Sequence, residues 1–257
     1  MNPIIDLSGK RGLVVGIANE HSIATGCATL FRAAGAELAV TYLNDKAEAF
    51  VRPVAQALQS SIVLPCDVSV PGQLEAVFER ITKDWGRLDF LLHSIAFAPA
   101  DALHASLVDC PAEGFALAMD VSCHSFIRMT KLALPLMTGG GSLMTVSFYG
   151  AERAVDHYNV MGPVKAALES SVRYLAADLA ARRIHVHAIS AGAVKTRAAS
   201  GIDHFDALLD DVRAHTPAQR LVTIEEIGRI AAVLACDAGM TLTGSTIYAD
   251  AGFHITA

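Results

Sequence analysis

The chain has 257 residues, 53% hydrophobic and 18% charged, a balance that suits an α/β domain whose sheet is buried on both faces. A formal net charge of −6 argues against a general nucleic-acid surface. The five cysteines are scattered and form no CxxC pair, which argues against a disulfide framework or a zinc site and fits a reducing cytoplasm. Met1 to Arg11 lacks a basic region followed by an apolar stretch, so no signal peptide is expected. No segment reaches the length of a membrane span without a charged or turn residue, so a soluble, cytoplasmic protein is expected.

Short apolar runs alternate with longer helical patterns along the chain. Strands are predicted over Gly12–Val15, Glu37–Tyr42, Ser61–Leu64, Asp89–His93, Ser142–Ser147, His185–Ile189 and Thr246–Ala249. Helices are predicted near Ser22–Ala34, Asp45–Leu58, Gly72–Trp85, Ala112–Met137, His157–Ala181 and Ile224–Ala235. The alternation predicts a Rossmann-type doubly wound fold, mainly a seven-stranded parallel sheet flanked by helices, in one domain spanning 1–257. The segment Ala193–Thr216 breaks the alternation and is long for a strand-to-helix connection. A substrate-covering loop and helix is expected there.

The first strand runs into Gly16-Ile-Ala-Asn-Glu-His-Ser22, which opens the first helix. A dinucleotide pyrophosphate needs close backbone approach, which Gly16 permits, and amide donors at a helix N-terminus. Ser22 is placed to cap that helix or to donate to a phosphate. The strict GxGxxG pattern is absent, and a plain strand–turn–helix is the competing reading. The second strand ends in Thr41-Tyr-Leu-Asn-Asp45, with no Lys or Arg at positions 42 to 45 to hold a 2′-phosphate, so NADH is favoured over NADPH. Asp67, after the third strand, either accepts from an adenine amino group or caps the helix that follows.

The stretch from Ser147 to Lys165 carries the chemistry. With a helix beginning near His157, Tyr158, Met161 and Lys165 stand at i, i+3 and i+7 and share one face. A phenol beside an ammonium group suits a reaction that develops negative charge on an oxygen. A buried Tyr and Met with a surface Lys is the bland alternative.

The string Tyr158-Asn-Val-Met161-x-x-x-Lys165 resembles the Tyr-x6-Lys motif of the enoyl-acyl-carrier-protein reductases, a divergent branch of the short-chain dehydrogenase/reductase superfamily. Other members of that superfamily separate Tyr and Lys by three residues, a position held here by Gly162. The resemblance runs through nearly the whole chain. It includes Gly16-Ile-Ala-Asn-x-x-Ser22-Ile23-Ala24, Cys66-Asp67-Val68, His93-Ser94-Ile95-Ala96-Phe97-Ala98 and Gly150-Ala-Glu-Arg153. It continues through Ile189-Ser-Ala-Gly192, Thr196-x-Ala-Ala-Ser-Gly-Ile202 and Asp250-Ala-Gly-Phe253.

This resemblance implies reduction of the trans-2 double bond of an enoyl thioester, on acyl-carrier protein or coenzyme A, by hydride from NADH. Tyr158 is then the carbonyl hydrogen-bond donor and Lys165 the residue that holds the nicotinamide ribose. The implied cofactor contacts come from Gly16, Ser22 and Ile23, from Leu43, from Asp67 and Val68, and from Ser94, Ile95 and Ala96. The turn of Ala193, Val194, Lys195 and Thr196, with Ala198 beyond it, completes that set. Ala98, Phe148, Tyr158 and Met161 border the acyl group. No metal is implied, and the family habit is a homotetramer.

Several positions depart from the family pattern. Phe148 stands where many relatives have a tyrosine, and the neighbouring Tyr149 substitutes for it only if the strand end is twisted. Leu43 stands in place of a glutamine near the adenine ribose. Where relatives carry Lys or Arg to meet an acidic carrier protein, this chain has Asp203, Asp206, Asp210 and Asp211. Carboxylates repel an acidic partner, so carrier docking is expected to be weak or to use another surface. Two other readings compete: a carbonyl-reducing dehydrogenase of the same superfamily, and a non-catalytic NADH-binding paralogue.

Overall fold

Short runs made mostly of apolar residues form seven strands, and in a computed structural model all seven run parallel in one sheet. The structure describes residues 5–196 and 205–256. In chain order the strands are β1 (Arg11–Val15), β2 (Glu37–Tyr42), β3 (Ile62–Pro65), β4 (Phe90–His93), β5 (Gly141–Ser147), β6 (Ile184–Ala191) and β7 (Ser245–Ala249). Their spatial order is β3-β2-β1-β4-β5-β6-β7. β1 therefore lies between β2 and β4, and the chain reverses its direction of winding there. Such a switch point opens a crevice at the C-terminal edge of the sheet.

Helices cover both faces. α1 (Ile23–Ala33), α2 (Asp45–Ala57) and α9 (Ile224–Ala235) enclose one apolar core with Val14, Val40, Leu92, Met144 and Ile189. α3 (Gln73–Asp84), α6 (Ser125–Ala133) and α7 (Met161–Leu179) enclose the other with Leu13, Leu91, Leu143 and Val186. Adjacent strand residues thus feed opposite cores, and for that reason the strands read as continuous apolar runs. The helix ends have local causes. Asn44 accepts from the Ala47 amide at the start of α2, and Thr223 and Glu226 form a reciprocal capping box at the start of α9. Among the described residues, no helix is long and apolar enough to cross a membrane.

Two predicted helices are corrected. The segment Ala112–Met137 is α5 (Ala112–Met119), a π-helical turn (Asp120–His124) and then α6. Two hydroxyls, one in the widened turn and one just after it, bond to the backbone. Ser122 both accepts from the Phe97 amide (2.8 Å) and donates to its carbonyl (3.0 Å), and Ser125 donates back to Val121 O (2.7 Å). α6 stops two residues before Pro135, which has no N–H to donate to Lys131 O. The helix predicted from His157 begins at Met161, because His157 (φ 63°) and Asn159 (φ 42°) are left-handed. Between β4 and α5 lies a short helix, α4 (Ala100–His104), that the sequence pattern did not reveal. Within the segment expected to cover the substrate, residues 205–215 form α8 (Phe205–His215).

Candidate active site

At the exit of β1, Gly16 (φ 115°) adopts a conformation that favours glycine, and a Cβ there would stand 2.0 Å from Ser94 O. The two strand exits at the switch point therefore touch through bare backbone, tied by Ser94 N–H to Val15 O at 2.9 Å. Ser22 occupies the N-cap position of α1 but makes no side-chain cap. Its hydroxyl accepts from the amides of Ala18 (3.0 Å) and Asn19 (3.1 Å), while Thr25 donates to Asn19 O (2.7 Å). The capping expected of Ser22 is thus corrected: its hydroxyl holds the loop closed on itself. Ile23 is the first residue of α1.

Leu43 follows β2 and is half exposed. The Asp67 carboxylate accepts from the amide (2.9 Å) and hydroxyl (2.6 Å) of Ser69, and α3 is capped by Gly72. Asp67 is therefore not a helix cap; it closes a tight turn after β3. Val68 is buried, and its carbonyl accepts from Arg128 of α6 at 2.7 Å.

His93 ends β4 and is fully buried. Its Nε2 lies 2.8 Å from Ser125 Oγ, whose own proton goes to Val121 O, so Nε2 donates. Its Nδ1, 2.8 Å from Thr145 Oγ1, then accepts. Burial, with the nearby Lys165 charge, lowers its pKa to about 3, so the ring is a neutral strut between β4, β5 and α6. Ser94, Ile95 and Ala96 continue from it along the sheet edge, and Ser122 clamps the next residue, Phe97, through both backbone groups.

β5 delivers Phe148, whose ring meets that of Tyr158 edge-on with centroids 4.9 Å apart. Tyr158 sits in a turn ahead of α7, between two left-handed residues, and not on the helix face that periodicity implied. Its backbone still leads into the helix, since Met161 N–H donates to Tyr158 O at 3.0 Å. Asn159 fastens the turn to α4 through Leu103 O at 2.7 Å. Ile95, Ala98, Phe148, Tyr158 and Met161 all meet in the core that α7 covers. Burial, reinforced by the Glu169 charge, pushes the Tyr158 phenol well above its usual pKa, so it is a proton-bearing donor.

Lys165 is buried, and its Nζ donates to Val146 O at 2.6 Å. Burial lowers its pKa to about 8, opposed by Cys123 and Glu169. Glu169, one helical turn further on, accepts from Ser147 Oγ (2.5 Å) and from Thr246 Oγ1 (3.2 Å). Beyond β6, Gly192 N–H donates to Ala249 O (2.9 Å), and the chain passes through Ala193, Val194, Lys195 and Thr196. Ala198 and Asp203 lie outside the described residues, as does the side chain of Asp206. Tyr149 does not join the Phe148–Tyr158 pair. Its ring packs edge-on against Phe253 (5.5 Å) in a separate cluster with Ala193, Leu209 and Val212.

The sequence reading passed over His93, Ser122, Cys123 and Glu169 as site residues. Only Glu169 had a local signal, its position four residues after Lys165. The others act through contacts between elements distant in sequence.

A family model described as enoyl-(acyl carrier protein) reductase matches residues 16–254. The chain is 45% identical over 250 residues to the NADH-dependent enoyl-[acyl-carrier-protein] reductase FabI of Aquifex aeolicus, covering 97% of this chain and 93% of that protein. It is 44% identical over 252 residues to the Escherichia coli protein of the same name, covering 98% and 96%. The crystal structure of an enoyl-(acyl-carrier-protein) reductase from Anaplasma phagocytophilum in complex with NAD superposes with a TM-score of 0.93 at 42% identity, covering 99% of this chain and 97% of that one.

Proposed function

Since this chain belongs to the enoyl-acyl-carrier-protein reductase family, we propose that Tyr158 and Lys165 carry its reaction, the NADH-dependent reduction of a trans-2-enoyl thioester. The observation behind this assignment is the placement of Tyr158. A neutral phenol is held between Phe148 and Gly150 at the C-terminal edge of the sheet, with the Lys165 ammonium fixed on Val146 O. NADH fits this edge because the loop after Gly16 opens the N-terminus of α1 at the switch point of the sheet, and positions 42 to 45 carry no cation for a 2′-phosphate.

When bound, NADH supplies the hydride that the β-carbon receives. Tyr158 donates to the thioester carbonyl, and that hydrogen bond strengthens as negative charge collects on the oxygen. Lys165 holds the ribose hydroxyls and adds positive potential. Gly16, Ser22, Ile23, Leu43, Asp67 and Val68 line the adenosine and pyrophosphate half of the cleft. Ser94, Ile95, Ala96, Ala193, Val194, Lys195 and Thr196 line the nicotinamide half. Ala98, Phe148 and Met161 wall the acyl chain. The α-carbon takes its proton from solvent or through Tyr158.

The working assembly is a cytoplasmic homotetramer. Its support is a set of exposed apolar side chains on three helices, Phe115 on α5, Ile127 on α6 and Tyr174, 73% exposed, on α7. Light scattering on the eluting protein tests it. The reaction is tested by following NADH absorbance with crotonyl and dodecenoyl thioesters of coenzyme A and of carrier protein. Loss of turnover in both Tyr158→Phe and Lys165→Ala supports the assignment. Wild-type turnover in either variant overturns that residue's role.

A further inference from the structure

Glu169 is a buried carboxylate (6% exposed) that takes no direct part in the reduction. It follows Lys165 by one turn of α7, so the two side chains leave the same face of the helix. Lys165 donates to Val146 O, and Glu169 accepts from the hydroxyl of the next residue, Ser147. Its second oxygen accepts from Thr246 on β7. β6 runs between these strands, with Ser190 opposite Ser147 and Ala188 opposite Thr246 in the sheet register. One carboxylate therefore bridges β5 and β7 across an intervening strand. Burial raises the pKa of this carboxyl, and both partners are hydroxyls that donate to it and so favour its ionised form against that burial.

A charge in such a place is costly, and an amide would satisfy the same two hydroxyls. We propose that Glu169 is a positioning residue for the reduction: it locks the ends of β5 and β7 onto α7 and supplies the negative charge that keeps Lys165 an ammonium ion at the cofactor ribose. The proposal rests on the reductase reading of the cleft.

The surrounding groups leave this task to Glu169. Cys123 faces Lys165 from the π-helical turn, but burial raises its pKa, so at neutral pH it is an uncharged thiol. His93, on β4, feels the Lys165 charge and is neutral, and the Tyr158 phenol keeps its proton. Around Glu169 itself stand Glu152 after β5, Arg173 on α7 and the phenol of Tyr248 on β7. With Lys165 already brought down to about 8, loss of one neighbouring negative charge converts a large share of the molecules to the amine near neutral pH.

The test compares Glu169→Gln, which keeps hydrogen bonding and removes charge, with Glu169→Asp, which keeps charge on a shorter arm. NADH binding is measured by fluorescence across pH, beside enoyl-thioester turnover and thermal midpoint. In Glu169→Gln the alkaline loss of NADH affinity is expected to begin about one pH unit lower, with affinity near pH ~8 reduced several-fold. Glu169→Asp is expected to keep the wild-type pH limb with a lower kcat. A wild-type pH limb in folded Glu169→Gln overturns the proposal. If that variant does not fold, a shifted limb in Glu169→Asp overturns it. NADH binding needs no thioester, so an inactive wild type would overturn the reductase reading and leave this test standing.

Discussion

The ring of Tyr158 lies against the backbone of Gly150 so closely that a Cβ on residue 150 would stand 2.4 Å from Cδ1 of the ring. Gly150 follows directly on the β5 exit that also presents Phe148, so the phenol is seated by a gap in the main chain as well as by its own turn.

Gly150→Ala is therefore expected to displace the Tyr158 ring without touching the β1 exit. A displacement on the order of an ångström costs about 100-fold in turnover. The prediction is a kcat loss of that order with NADH affinity within about 2-fold of wild type, read from steady-state kinetics and fluorescence titration. Equal losses in both would place the fault in the fold.

Gly16→Ala is expected to act at the other end of the cleft. The added methyl would meet Ser94 O at 2.0 Å in a left-handed conformation, so β1 and β4 must part or the loop must refold. A cost of about 2 kcal/mol or more follows. The outcome is a lower thermal midpoint together with loss of NADH binding. Unchanged binding would show that the cofactor does not approach this turn.

Lys165 sets opposite pH trends for stability and for activity. Its native pKa of about 8 lies below the ordinary lysine value of 10.5. Between those values the unfolded chain binds the additional proton, so this residue makes the protein more stable as pH rises through that window. Below about pH 8 the buried charge costs about 3 kcal/mol. Activity that needs the ammonium falls over the same window. Lys165→Met is expected to have an unchanged or higher thermal midpoint at pH ~7 with at least ~100-fold less turnover. A clearly lower midpoint would mean that the contact with Val146 O outweighs the burial of charge.

Tyr149 and Tyr158 are expected to respond differently to loss of the hydroxyl. The Tyr149 ring faces Phe253, Leu209 and Val212, away from the cluster of Phe148 and Met161. Tyr149→Phe should keep kcat within about 2-fold, whereas Tyr158→Phe should lose about 100-fold or more. A severe loss in Tyr149→Phe would make Tyr149 the stand-in for the phenol absent at position 148.

On α8, Asp210 is paired with Arg213 and Asp211 with His215, and all four side chains are exposed. An acidic carrier protein docking on α8 would meet these carboxylates as like charges, a repulsion that salt screens. Asp210→Lys with Asp211→Lys is expected to raise kcat/KM for a carrier-bound thioester several-fold and to leave the coenzyme A thioester unchanged. Equal effects on both substrates would locate carrier docking elsewhere.

Much of the fold was legible in the sequence because its determinants are local. The β2 boundaries Glu37–Tyr42 and the α9 boundaries Ile224–Ala235 agree with the structure to the residue. In both, apolar spacing and the flanking turn residues specify the element. The long helix expected from Ala112 failed at Asp120–His124, where the Ser122 hydroxyl prefers the backbone of Phe97, a residue 25 positions away. The Tyr158 helix failed for a backbone reason, since periodicity of side chains does not register that His157 and Asn159 turn left-handed.

What the sequence alone determined was the alternation that makes a parallel sheet, the glycine needed at position 16, and the Tyr158–Lys165 pair through its resemblance to a family. What only the tertiary structure decided was how those groups are held. The neutral state of His93, the seating of Tyr158 on Gly150, and the reach of Glu169 from α7 to both β5 and β7 all depend on it. Periodicity follows from the repeat of a single backbone, which a linear string records. Burial, pKa and hydrogen-bond pairing follow from which distant segments exclude water from one another, and that is settled only when the sheet and its helices close.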